Sequence, residues 1–207
     1  MKHPFEKLSP SGRAWLFLPL LVITSLVTSA MVLVGRPLSE NKAVAPDGII
    51  SYELARDTSE SRAILDAWGE KRRVRAAFSL GLDFLFILAY ATTTSLGCVM
   101  ASGLFAGQTF AGRRLLALLG IALAWGQAVA GILDGVENTA LMVMMLDSVS
   151  EPLRLTAYWS AWVKFKLVYA GLLYALAGGV FWGIAKLRGR STARPESGRG
   201  RKNSARL

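Results

Sequence analysis

Long apolar stretches alternate with short charged segments along the whole chain. Four of these stretches are nearly free of charge and reach the length of roughly 20 residues that an α-helix needs to cross a bilayer core of about 30 Å. They cover residues 14–35, 76–101, 115–146 and 158–184. The pattern predicts an all-α membrane protein: one domain, residues 14–187, formed by four transmembrane helices that run alternately up and down.

The segment between the first two stretches, residues 36–75, is too long for a plain connection. Its sequence Asp57-Thr58-Ser59-Glu60 has the features of a helix start, with a carboxylate at the N-cap and a glutamate three residues later. A stripe of apolar side chains on one helical face follows: Ala63, Ile64, Ala67 and Trp68. Gly69 is a typical helix stop. We therefore predict a short amphipathic helix in this first outer loop, lying on the bundle or on the membrane surface.

Basic residues at both ends of the chain indicate how it is oriented. Residues 1–13 form an N-terminal tail, and residues 188–207, rich in Arg, Gly and Ser, predict a disordered basic tail. With both tails in the cytoplasm, 13 Lys and Arg residues lie inside and 9 outside, as the positive-inside rule favours. Four basic residues within 71–75 argue against this orientation. We predict a multi-pass protein of a bacterial cytoplasmic (inner) membrane, with both termini cytoplasmic.

The first apolar stretch also resembles a secretory signal peptide. Its Thr28-Ser29-Ala30 segment is a poor cleavage site, and apolar residues continue to Val34. We therefore predict a retained first helix, with cleavage as the alternative.

Composition excludes several kinds of chemistry. The chain is 53% hydrophobic and 18% charged, with a single cysteine, Cys98, and a single histidine, His3. One cysteine cannot form an intramolecular disulfide, and one histidine in a tail gives neither a zinc site nor the base of a Ser-His or Cys-His pair. No metal site and no cofactor are predicted. The C-terminal tail lacks the aromatic or folded support of a nucleic-acid interface, so membrane lipids are the expected partners.

Five ionisable residues inside the apolar stretches carry the functional information. Each costs at least about 2.5–3.5 kcal/mol at the centre of a membrane helix and is expected to face the bundle interior or water. Counted from the outer ends of their helices, all five fall at a similar depth in the outer half of the bilayer. They are Asp83, Asp134, Glu137, Lys164 and Lys166.

Helical spacing predicts which of these residues point inward. Polar residues of the third helix form one stripe, and on the fourth helix Lys166 shares a stripe with Trp162 and Tyr169, whereas Lys164 lies nearly opposite. We therefore predict that Lys166 faces the carboxylates and that Lys164 points outward or pairs with Asp83. The predicted polar cluster, a candidate ligand site, is Asp83, Gln127, Asp134, Glu137, Asn138, Lys166 and Tyr169. Trp68 and Trp162 are candidate lid residues over it.

Around these residues the chain resembles an uncharacterised family of short bacterial four-helix integral membrane proteins. The resemblance spans roughly residues 52–174. Its pieces are Tyr52-Glu53-Leu54-Ala55, Ile64-Leu65-Asp66-Ala67-Trp68, Leu82-Asp83-Phe84-Leu85-Phe86, Asp134-Gly135-Val136-Glu137-Asn138 and Lys164-Phe165. The resemblance implies the architecture and the choice of polar residues, and it implies no activity.

The leading functional hypothesis is a non-enzymatic membrane protein. Its polar cluster either holds the helices in register or binds a small amphiphile such as a lipid. One alternative is an enzyme acting on a lipid, with Asp134 or Glu137 as general acid or base and Lys166 as charge stabiliser, although no catalytic residue can be assigned. Another is a proton-coupled transporter subunit, which would be expected to form a homo-oligomer to build an alternating-access path.

Overall fold

The computed structural model describes residues 2–192 of the chain, and side chains as far as residue 187. Five α-helices follow one another: α1 (Pro10–Gly35), α2 (Ile49–Glu53), α3 (Thr58–Ala106), α4 (Arg113–Leu146) and α5 (Glu151–Thr192). Short 3-10 turns lie at Pro4–Lys7 and Arg36–Ser39. No strand occurs within residues 2–192. The prediction of an all-α chain with four long apolar helices that pack together is confirmed.

Helix α3 is much longer than the predicted second helix, because it also contains the predicted short helix of the first loop. The Asp57 carboxylate caps its start by accepting a hydrogen bond of 2.8 Å from the Glu60 backbone N–H. At Gly69 the backbone leaves the helical conformation, with φ 58° and ψ −179°, and the helix resumes in a new direction. Glycine adopts this positive φ without the steric cost that other residues meet. The predicted stop at Gly69 is therefore a kink.

The segment before the kink buries a face slightly different from the predicted one. Its buried residues are Ser61, Ile64, Leu65 and Trp68, whereas Ala63 is exposed. Together with residues 38–55 they form a buried core at one end of the bundle, against the end of α4 and the start of α5. The Trp68 indole Nε1–H donates a hydrogen bond of 3.0 Å to the Leu38 carbonyl and ties the loop to α3. We call this assembly the cap.

Neighbouring long helices run antiparallel. Between α3 and α4, hydrogen bonds join Tyr90 to Asp134 and Ser102 to Ala117, so the numbering rises along one helix as it falls along the other. The bonds between α4 and α5 follow the same order. Helix α3 lies against α1, α4 and α5, whereas α1 packs mainly against α3 and makes almost no contact with α5 within residues 2–192. A gap therefore separates α1 from α5.

Large apolar side chains cover the outside of the helices. Leu88, Ile132 and Leu173 are each 68–69% exposed, although water would disfavour such surfaces. All four long helices are long and apolar enough to cross a membrane. That they do so stays a prediction.

The N-terminal segment folds back onto the end of the bundle opposite the cap, and α1 begins at Pro10 rather than Ala14. His3 is buried, with its ring edge-on to Trp125 and its Nε2 3.2 Å from the Ser95 hydroxyl. Its Nδ1 accepts a hydrogen bond from the Phe5 N–H. Burial lowers the pKa of His3. At the other terminus, α5 continues to Thr192, beyond the predicted end at residue 184, and residues 193–207 of the predicted tail lie outside the described part of the chain.

Candidate functional site

Lys164 lies at the centre of a buried charged cluster. Its ammonium is 2.5 Å from Asp134 Oδ1, 2.8 Å from Glu137 Oε2 and 3.9 Å from Glu53 Oε2. All four residues are less than a tenth exposed. Of these contacts, only the one with Asp134 has the geometry of a hydrogen bond. An ion pair removed from water in this way holds α4, α5 and α2 to a common position.

Helix α3 joins the cluster through two further hydrogen bonds. The Tyr90 hydroxyl donates to Asp134 Oδ2 over 2.9 Å, and the Asn138 side-chain amide donates to Asp83 Oδ2 over 2.6 Å. Asp134 therefore has one oxygen on Lys164 and the other on Tyr90. The structure brings together Asp83, Asp134, Glu137 and Asn138, as the shared depth of these residues suggested. The charged cluster lies about 20 Å from the cap ends of α3 and α5, counted from Glu70 and Glu151 at 1.5 Å per residue.

Lys166 is not in the cluster, contrary to the sequence prediction. It is exposed, and its ammonium lies over the Trp162 ring, 3.1 Å from the ring centroid. Tyr169 and Trp162 are also outside, 61% and 43% exposed. Small residues determine which side of α5 points into the bundle. Ala157, Ala161 and Gly171 lie on the same side as Lys164 and let α5 approach its neighbours. Small residues are common at helix contacts in membranes.

Gln127 and Trp68 are buried but lie away from the charged groups. The Gln127 side-chain amide donates to the Leu167 carbonyl over 2.9 Å, about two turns below Asp134, and so joins α4 to α5. Trp68 belongs to the cap and packs edge-on against Tyr52. Neither residue lines the cavity described below, and neither does Trp162. The two predicted lid residues therefore do not cover it.

Sequence reasoning expected Lys164 to point outward or to pair with Asp83, and it missed Glu53 altogether. Glu53 is the last residue of α2, in the loop that precedes α3, and is 8% exposed. Burial raises the pKa of Glu53, and the nearby Lys164 ammonium opposes this rise. One sequence feature could have indicated that Glu53 is buried: it is an acid flanked by Tyr52 and Leu54 in a segment that is otherwise largely apolar. A helical period could not reveal it, because α2 has only five residues.

A cavity of about 580 Å³ opens between α1, α3 and α5, beside the cluster. Its polar floor is formed by Glu53, Ser79, Asp83, Tyr90, Asp134 and Lys164. Its apolar walls are formed by Met31, Val32, Phe86, Phe165, Val168 and Leu172. The cavity thus has a charged end beneath the cap and an apolar side along the gap between α1 and α5.

The cluster has more acceptors than donors. Three carboxyl groups, of Glu53, Asp134 and Glu137, lie within 3.9 Å of the Lys164 ammonium, and a fourth, of Asp83, is bound by Asn138 beside them. Three buried oxygens of these residues make neither a hydrogen bond nor a short ion pair: Glu53 Oε2, Glu137 Oε1 and Asn138 Oδ1. Buried polar atoms normally have partners, so this excess leaves room for protons or for donors from a bound molecule.

Comparison of the chain with protein-family models, with curated proteins and with solved structures finds no match. The resemblance to short bacterial membrane proteins therefore stays a prediction, and the site is interpreted from its own geometry.

Proposed function

We propose that this chain is a multi-pass membrane protein that binds a small amphiphile, such as a lipid, in the cavity between α1 and α5. Helices α1, α3, α4 and α5 cross a bacterial inner membrane in alternate directions, with both termini in the cytoplasm. The cap then lies on the outer face, and the charged cluster lies in the outer half of the bilayer.

The cavity, polar at one end and apolar along its side, is the observation that carries this proposal. A head group fits the floor near Asp83 and Lys164, and an acyl chain fits the walls near Phe86 and Leu172. Ligand sites typically combine an apolar lining with a few placed polar groups. Because α1 makes almost no contact with α5, a molecule dissolved in the bilayer can reach the floor sideways.

Binding fits this geometry better than catalysis or transport. Asp134 lines the cavity, but both of its oxygens already accept hydrogen bonds. Glu137 does not line the cavity and Lys166 is remote, so the enzyme hypothesis has no free general acid or base and no charge stabiliser beside a substrate. A transport path would continue from the cluster to the opposite end of the bundle. That end is packed with apolar side chains, including Val99, Phe105 and Tyr174.

Native mass spectrometry of the purified chain in mild detergent tests the proposal. We expect the wild type to retain an amphiphile of defined mass, and Val168→Trp, which fills the cavity, to lower the retained fraction about tenfold or more, equivalent to roughly 1.4 kcal/mol. The matched control is Leu173→Trp on the exposed face of α5, which should retain the amphiphile. Equal, random lipid masses on all three proteins would leave the cluster a purely structural element.

A further inference from the structure

The acidic floor of the cavity has capacity that the protein itself does not use. Glu53 lines the cavity, is more than nine-tenths buried, and its Oε2 has no hydrogen-bond partner. The closest ammonium, that of Lys164, is 3.9 Å away and bonded to Asp134 instead. A buried carboxylate without a donor is costly, because it has lost water and gained no partner.

Asp83 lies on the same floor. The hydrogen bond that it accepts comes from Asn138, a neutral amide behind the cavity wall. Asp83 and Glu53 thus face the cavity together, while Lys164 is held on Asp134 and Glu137. The free oxygen of Glu53 is an acceptor, so a phosphate or carboxylate placed against it would find no donor there.

We propose that the cavity selects an amphiphile whose head group carries an ammonium, received by Glu53 and Asp83. This inference rests on the proposed function, because it names the chemical class of the ligand in the same cavity. Lys164 and Tyr90 direct their donors at Asp134, so an ammonium would supply the N–H donors that Glu53 and Asp83 do not receive from them. Charge-assisted hydrogen bonds of this kind are about twice as strong as neutral ones.

Arg36 also lines the cavity, at the end of α1, and is exposed. For a zwitterionic head group, we assign the phosphate next to the ammonium to the Arg36 guanidinium. The acyl chain then follows the apolar wall of Phe86, Phe165 and Leu172.

Competition between two lipids that share acyl chains and differ in head group tests the inference. The full chain, delipidated in detergent, is titrated with phosphatidylethanolamine and with phosphatidylglycerol, and bound lipid is counted by native mass spectrometry. We expect about tenfold preference or more for the amine lipid. Glu53→Gln should reduce this preference several-fold, whereas Asp66→Asn, which removes an exposed acid outside the cavity, should leave it unchanged.

The outcomes separate the two proposals. A lipid that is lost in Val168→Trp but shows no preference for the amine over the glycerol head group would overturn the head-group inference and leave amphiphile binding in place. Failure of the wild type to retain either lipid above the detergent background would overturn both. If Glu53→Gln does not fold, the wild-type preference still decides, and Asp83→Asn provides the second variant.

Discussion

At the scale of single residues, two lysines two positions apart on α5 have opposite environments. Lys164 is 5% exposed and held by carboxylates, whereas Lys166 is exposed and lies over the Trp162 ring. In a membrane, a charged side chain either pairs in the interior or extends along the helix toward the interface. Lys164 has the first of these arrangements, and Lys166 has the second.

Removing either ammonium should therefore have very different effects on stability. Lys164→Met leaves Asp134 and Glu137 buried without a cation, and breaking a buried pair costs about 3–5 kcal/mol. Lys166→Met removes a contact with Trp162 worth about 0.5–1 kcal/mol. Unfolding by denaturing detergent, followed by circular dichroism, compares the two variants directly.

A double substitution tests whether the pair is coupled. Because Glu137→Gln removes one of the charges left behind by Lys164→Met, the double variant should be more stable than the sum of the single effects implies. Strict additivity, or equal losses for Lys164→Met and Lys166→Met, would show that the cluster does not depend on Lys164.

At the scale of elements, the sequence predicted the helices better than their facing. Charge-poor stretches of about 20 residues are a strong signal, and each of the four long helices contains one of them, although α3 and α5 extend well beyond the predicted ends. On α5, aromatic Trp162 and Tyr169 were expected inward with Lys166, as in a water-soluble core. In a bilayer the exterior is apolar too, so large side chains gain little by pointing inward and close packing of small residues sets the contact.

In the cap, too, local structure could be predicted from the sequence, whereas the contacts of individual side chains could not. The Asp57 cap and the break at Gly69 follow from local backbone chemistry and were readable from the sequence. The inward position of Glu53 depends on how residues 36–57 fold over the bundle, and no local period encodes such a long-range contact. The depth of Asp83, Asp134 and Glu137 was readable because helix rise is constant.

Two adjacent glycines on α5 offer a matched test of helix packing. A Cβ at Gly178 would overlap the Cβ of Ala101 and come within 3.0 Å of its Cα on α3, whereas a Cβ at Gly179 meets nothing within 4 Å. Gly178→Ala should destabilise the bundle by about 1–3 kcal/mol, because the Ala101 backbone cannot move aside locally. Gly179→Ala shares the same change in helix propensity and should be neutral or slightly stabilising.

Denaturing-detergent unfolding of the two glycine variants gives the comparison. The difference between them isolates the contact between α3 and α5, since propensity changes cancel. Equal stability of Gly178→Ala and Gly179→Ala would mean that α5 does not approach α3 at Ala101.

At the scale of the whole molecule, the cap accounts for two of the four basic residues that conflicted with the proposed orientation. Arg72 forms an ion pair with Glu40, and Arg73 forms one with Asp66 over 3.1 Å. The Arg73 guanidinium also donates to the Leu65 carbonyl. These arginines therefore have structural partners within the folded cap, which would explain their position if the cap lies on the outer side, as proposed.

The proposed orientation predicts which exposed positions are reached from outside an intact cell. In a Cys98→Ala background, Ser148→Cys lies between α4 and α5 on the cap side, and Thr109→Cys lies between α3 and α4 on the opposite side. A membrane-impermeant maleimide should label position 148 in intact cells and position 109 only after the membrane is permeabilised, because the helices between them cross the bilayer. The cavity floor would then lie about 10 Å below the predicted outer ends of the membrane-spanning stretches at residues 76 and 158, in the outer half of a core about 30 Å thick. Labelling of position 109 in intact cells, with position 148 protected, would invert the chain and place the amphiphile cavity in the cytoplasmic leaflet.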